Sequence, residues 1–282
     1  MKNRIINIAI ALIFLIGLSL LLYPTVSDFY NSRHQSHVIT DYIKEIDDLD
    51  EKTYQSFMEA AQTYNEKLRK KQDRFTLNEE EQEAYYQQLS IDYSSVMGYI
   101  EISKINCKLP IYHGTDESVL QVGAGHLEGT SLPIGGKGTH CVLSGHRGLP
   151  SAKLFSDLDQ MVEGDKFVLY VLNEKLTYQV DQILIVEPEN MGPLAIDENQ
   201  DYCTLVTCTP YGVNTHRLLI RGTRIPNEEE LKSENDKRIP SVGLFLGCGF
   251  LTTILILAIR YLFKSKKNKS GSIEVLYEKK EK

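Results

Sequence analysis

From Val96 onward the chain breaks into short runs of aliphatic, aromatic and β-branched residues separated by glycine and proline, and this texture constrains the fold most. The runs are Met97–Ile102, Leu109–His113, Thr139–Ser144, Lys166–Leu172, Leu176–Val186, Cys203–Cys208 and Arg217–Arg221. Each is rich in residues that fit a pleated, half-buried surface. Seven or eight short strands in about 130 residues predict a mostly-β domain, a closed or nearly closed antiparallel barrel. One short helix is expected inside it, near Ser151 to Asp159.

Upstream the period changes. Between 28 and 70, Val38, Tyr42, Ile46, Leu49, Phe57, Ala61, Tyr64 and Leu68 recur mostly at three- or four-residue steps, and the stretch holds no Gly or Pro. That spacing lines one face of a helix. Gln72 to Leu77 breaks the pattern, and a second helix is expected from Asn78 to about Leu89, with Asn78 as its cap and acids in its first turn. The acidic runs at 47–51 and 79–81 read as solvated helix faces.

Both ends of the chain are apolar. The nineteen residues Ile5 to Tyr23 carry no charge, and at about 1.5 Å rise per residue they nearly match a hydrocarbon core of roughly 30 Å. The run is longer than the apolar core of a secretory signal, and Leu22 to Ser27 offers no small-x-small cleavage site, so an uncleaved anchor is expected. A second apolar segment, Val242 to Phe263, is interrupted only by Arg260 near its end and is followed by Lys264, Lys266, Lys267 and Lys269. Lys2 and Arg4 precede the first run, whereas Asp28 follows it. The positive-inside rule therefore predicts two spans in the cell membrane, both termini cytoplasmic and the loop between them extracellular. The expected organisation is an anchor at 1–24, a helical region at 25–95, a β-barrel at 96–226, a polar linker at 227–241, a second span at 242–263 and a basic cytoplasmic tail at 264–282. A formal net charge of −7 argues against nucleic acid as a partner.

The five cysteines, Cys107, Cys141, Cys203, Cys208 and Cys248, are too few and too scattered for a disulfide framework. No CxxC or HExxH spacing exists, so no metal and no cofactor is expected. Cys107 and Cys141 sit in apolar runs, where a thiol acts as a small hydrophobe. Cys208 differs, because it closes a strand just before Thr209-Pro210 and is thus accessible. His146 also ends a strand, between two glycines, and Arg217 opens the next strand after the Tyr211–Thr215 loop. A hairpin from Cys208 to Arg217 would bring both to one rim. Thiol, imidazole and guanidinium are the groups that cysteine-based acyl transfer requires: a nucleophile, a proton carrier and a cation for the oxyanion. His140 is a rival base placed inside a strand, His216 would point to the face opposite Arg217, and His113 and His126 are weaker candidates.

Leu143-Ser-Gly-His-Arg-Gly-Leu-Pro-Ser-Ala-Lys-Leu-Phe155 and Thr204-Leu-Val-Thr-Cys-Thr-Pro-Tyr-Gly-Val-Asn-Thr-His-Arg217 closely resemble sortase signatures, most strongly those of the class C, pilus-polymerising kind. Tyr112–Thr115 and Gly125–Pro133 also look like that class. The resemblance covers about 28–225. It implies a sortase-type barrel and a transpeptidase that cuts an LPxTG-like sorting signal between Thr and Gly. The acyl group would then pass to a lysine amine of a pilin subunit. Carried over, Cys208 is the nucleophile, His146 the acid/base partner and Arg217 the oxyanion or positioning cation. The class also carries a lid at about 72–77, in which Asp73 and Phe75 match the aspartate and aromatic that block the site. Arg74 stands where the family usually has proline, which predicts a freer lid, and Asp73 is expected to reach Arg217. The competing readings are a sortase that attaches proteins to a peptidoglycan amine and a catalytically silent, membrane-tethered binding module. A metal-dependent hydrolase built on His140, His146 and Cys208 is a further one.

Overall fold

The computed structural model describes residues 2–91 and 95–227. The expectations for the linker, the second span and the basic tail lie outside these residues. A continuous helix α1 (Lys2–Asp47) carries the first apolar run and continues without a break through Pro24. The helical pattern that continues to residue 70 belongs to two helices, because Asp50 caps a new one, α2 (Glu51–Lys70), accepting from the Thr53 amide at 3.0 Å. Helix α3 (Glu79–Tyr86) starts at Asn78 with a reciprocal capping box, Asn78 bonding the Glu81 amide and Glu81 the Asn78 amide. The helix expected near Ser151 to Asp159 is reduced to turns and a single 3₁₀ turn at Leu158–Gln160.

Eight strands follow: β1 (Val96–Ile102), β2 (Cys107–His113), β3 (Ala124–His126), β4 (Thr139–Ser144), β5 (Lys166–Val171), β6 (Glu174–Val186), β7 (Asp201–Thr209) and β8 (His216–Ile225). A four-residue helix, α4 (Glu117–Leu120), lies between β2 and β3. The strands close into a barrel in the order β1-β2-β3-β4-β7-β8-β6-β5. The expectation of a purely antiparallel barrel is corrected, since β2–β3 and β4–β7 pair in parallel. The β4–β7 pair arises because the β5–β6 hairpin folds to the far side of β8 instead of filling the gap between them.

The lumen is filled by Met97, Ile100, Ile111, Leu143, Leu205, Ile220, Phe167 and Tyr178, none of them solvent-exposed. Phe167 and Tyr178 stack with ring centroids 5.5 Å apart, and Gly222 is forced there because a Cβ would meet the Phe167 ring at 2.8 Å. The helices are tied to the barrel by buried polar groups. Tyr42 Oη donates to the Met97 carbonyl and accepts from the Leu172 amide, at 3.1 and 2.8 Å. Asn65 pairs with the backbone of Leu132 through both ends of its amide. Such buried bonds tie each helix to one place on the barrel.

Candidate active site

In β7 the side chains alternate. Cys203, Leu205, Thr207 and Thr209 are buried in the lumen, while Val206 and Cys208, on the other face, are partly exposed. Cys208 and Arg217 are direct Cα partners across the β7–β8 hairpin. On the other side of β7, β4 runs parallel to it, and the last pair in register is Ser144 with Val206. The Gly145 amide extends this ladder to the Val206 carbonyl at 3.0 Å, and the Thr207 hydroxyl donates to the Gly145 carbonyl at 2.7 Å. His146, two residues beyond Ser144, is thereby level with Cys208, two residues beyond Val206. Three adjacent strand ends thus carry His146, Cys208 and Arg217 on one rim. Gly145 is needed for the turn, because a Cβ there would lie 2.6 Å from the Phe155 ring.

Arg217 donates from Nη1 to the carbonyls of Asn214 and His216, at 3.3 and 3.2 Å, and forms no ion pair among the described residues. His146 Nε2 lies 3.1 Å from Glu117 Oε2, and its Nδ1 has no hydrogen bond among the described residues. The Glu117 carboxyl is held below its ordinary range, first by the Gln121 side-chain amide and then by His146. Glu117 escaped the sequence reading, since a four-residue helix leaves no periodic signal.

The rival histidines are engaged internally. His140 is wholly buried, its Nδ1 2.8 Å from the Ala195 carbonyl and its Nε2 2.7 Å from the Thr204 hydroxyl. Burial draws its pKa down to about 4, so it is a neutral strut between β4 and the loop before β7. His113 bonds the Ser95 and Gln88 carbonyls, and burial lowers it too. His126 bonds Tyr85 and the Ser131 carbonyl. The other described thiols are buried, and burial pushes Cys107 up to about 12.

An apolar patch lies on the outer face of β7 and reaches Val206, two residues before Cys208. Val142, Leu194 and Leu219 form a small apolar cluster with Leu127, Val186, Met191 and Val206 packed on it. The segment at 72–77 reaches this region. Arg74 donates to the Gly129 carbonyl at 3.2 Å and to the Leu194 carbonyl at 2.5 Å, and its guanidinium covers the Phe75 ring at 4.6 Å. Gly129, with φ +79°, allows the approach, since a Cβ would lie 2.2 Å from the Arg74 carbonyl oxygen. Phe75 lines a cleft of about 330 Å³ with Leu127, Met191, Tyr86 and Glu128.

Two expectations are corrected here. Arg74 does not free the segment but is its anchor, because a long cation reaches two backbone carbonyls that proline could not. Asp73 makes no ion pair with Arg217 among the described residues; its carboxylate accepts from the Thr76 hydroxyl at 3.1 Å.

The Sortase domain family matches residues 100–225. Sortase C1 of Streptococcus agalactiae is 52% identical, with a TM-score of 0.65, and the alignment covers 68% of this chain and 100% of that one. Sortase C of Clostridium perfringens, solved with the C-terminal cell wall sorting motif, is 42% identical with a TM-score of 0.61, covering 68% of this chain and 100% of that one. Sortase D of Bacillus subtilis (strain 168) is 30% identical over 131 residues, 45% of this chain, and the match spans 63% of that relative's length. With half its aligned residues identical to an entire solved sortase, and class C sortases among its close structural neighbours, the chain belongs to the sortase family of cysteine transpeptidases.

Proposed function

We propose that this chain is a membrane-anchored, pilus-polymerising transpeptidase. The donor is a protein with an LPxTG-like sorting signal, cut between Thr and Gly, and the acceptor is a lysine amine of a pilin subunit. The observation that carries the reading is the register: Cys208 opposite Arg217, with His146 level with both on the neighbouring strand. The class C neighbours, one of them holding a sorting motif, support the donor class.

In this reading the Cys208 thiolate attacks the Thr carbonyl and Arg217 faces the oxyanion that forms. His146 protonates the departing Gly amine as the C–N bond breaks, leaving an acyl thioester on Cys208. The acceptor amine then attacks the thioester, gives its proton to His146 and expels the thiolate. Transfer to an amine instead of water requires that water be kept from the thioester. The segment anchored by Arg74 lies over the apolar floor and serves that end. The apolar floor of Val142, Val206 and Leu219 suits the Leu and Pro of the donor signal. Anchorage is supported by α1, a helix long and apolar enough to cross a membrane. The two-span topology and the extracellular side of the barrel belong to the same proposal.

The test supplies a donor carrying the sorting signal with either purified pilin or a peptidoglycan precursor amine. A ladder of covalent pilin oligomers is expected. Product formed only with the wall amine would replace this reading by cell-wall anchoring, and no covalent product with a labelled Cys208 would leave a binding module.

A further inference from the structure

Because α1 is one helix from Lys2 to Asp47, the apolar run Ile5 to Tyr23 and the residues that hold the barrel belong to a single rod. Contacts along that rod give the direction of the barrel. Asp28 accepts from the Lys153 amide and Asn31 donates to the Ser151 carbonyl, both at 2.7 Å. Gln35 donates to the Val122 carbonyl at 3.0 Å. Farther on, Tyr42 holds the Leu172 amide. At about 1.5 Å per residue, Asp28 lies roughly 8 Å beyond Tyr23 and Tyr42 roughly 28 Å beyond it. Of these contacts, the one at 151–153 is therefore nearest the apolar run, and the β5–β6 turn at 172–173 is far from it. The strands agree: β6 leaves that far turn at Glu174 and ends at Val186, opposite Arg217. The rim with His146, Cys208 and Arg217 is the near rim.

A bilayer of roughly 30 Å hydrocarbon measures roughly 40–45 Å overall, which leaves about 5–8 Å of headgroups on each side. The contact at Asp28 thus holds the near rim at the headgroup layer. What that rim displays is unusual for a surface in water. Tyr211, Val213 and Ile185 are 62%, 64% and 64% exposed. Contacts set Tyr211 and Ile185 beside the anchored segment, and Val213 belongs to the same loop as Tyr211, its amide bonding the Pro210 carbonyl at 3.1 Å. A Cβ on Gly148 would meet the Tyr211 ring at 3.0 Å, the Arg147 guanidinium lies 5.6 Å from that ring's centre, and Ile185 shares a cleft of about 400 Å³ with both. A tyrosine and aliphatic side chains fit a layer that is apolar on one side and wet on the other.

We infer that the β7–β8 loop tip, Tyr211 and Val213, together with Ile185, rests on the lipid surface of the membrane that anchors α1, so that the active-site rim faces the bilayer. The inference rests on the reading of Ile5 to Tyr23 as an anchor. It deepens the proposed function by selecting substrates that are themselves held at the membrane, because donor and acceptor then reach Cys208 along the headgroup layer.

The chain has no tryptophan, so Val213→Trp and Ile185→Trp each give a single reporter. The full chain is placed in phosphatidylcholine and phosphatidylglycerol vesicles with and without bromine on the acyl chain near the headgroup, and flotation is read on the same samples. Both variants should keep peptide turnover, shift their emission to the blue and lose intensity with brominated lipid. Asn173→Trp, at the exposed far turn, should do neither. Protein that floats but whose Val213→Trp and Ile185→Trp emission ignores bromine would overturn the inference and leave the anchor standing. A chain that does not float would overturn both. A blue shift that needs added donor protein and no brominated lipid would assign the patch to a protein partner and equally overturn it.

Discussion

Nε2 of His146 and Oε2 of Glu117 lie 3.1 Å apart, joining the short helix between β2 and β3 to the end of β4, the parallel neighbour of β7. Glu117 is placed to orient the imidazole, a positioning role. Glu117→Gln should lower kcat by up to about fivefold, the size that an exposed ion pair supports. KM for the donor should stay unchanged and Glu117→Asp should restore part of the rate. Steady-state kinetics that show equal kcat for all three would remove Glu117 from the account.

Arg74 holds the segment over the groove through two carbonyls and the Phe75 face. Net bonds to charged groups are worth about 1.5–3 kcal/mol each, so Arg74→Ala should raise the open population by an order of magnitude or more. The checks are the alkylation rate of Cys208 and proteolysis near residue 74, both of which should rise. Asp73→Ala should change these far less, because its carboxylate bonds only Thr76 among the described residues. An equal or larger effect from Asp73→Ala would refute the anchor role of Arg74.

Stability should fall in mild acid through His140. Folded, it takes a proton only near pH 4, whereas an unfolded histidine does so near 6.5. The unfolded chain therefore binds more protons between these values, so the contribution is whole above about 6.5 and lost as pH falls through the window. At pH 5 the loss is about 2 kcal/mol. Urea unfolding at pH 7 and pH 5 checks it, and His140→Gln should flatten the difference; an unchanged slope would contradict a buried, neutral His140.

Thr207 ties the His146 turn to β7 through the Gly145 carbonyl. Thr207→Val keeps the shape but orphans that buried oxygen, at about 1–2 kcal/mol of stability. Since the bond also sets His146 level with Cys208, kcat should fall with it. Lost stability with unchanged kcat would show that the bond is structural only.

Much of the barrel is legible in the sequence because its strands are long enough to show β-rich texture. β3 is not, for Ala124-Gly-His126 has three residues and no run of apolar side chains. Parallel pairing of β4 with β7 is equally invisible, since strand texture says nothing about neighbours that an intervening hairpin separates. Asp50 hides inside a helical pattern that continues across the break at 48–50. For the site, strand ends and loop glycines mark His146, Cys208 and Arg217. The partners of Arg74 are backbone carbonyls of Gly129 and Leu194, which no side-chain motif announces. Asp73 illustrates the converse, where a motif match suggested a partner that the folded chain does not supply.

The central claim is that the accessible thiol on the rim, paired in register with Arg217, carries the acyl group. Intact-mass and peptide-level mass spectrometry after incubation with an LPxTG-type peptide tests it most directly. A thioester adduct on Cys208, absent in Cys208→Ala and dependent on His146, is the predicted result. An adduct on another cysteine, or cleavage that persists in Cys208→Ala, would contradict it.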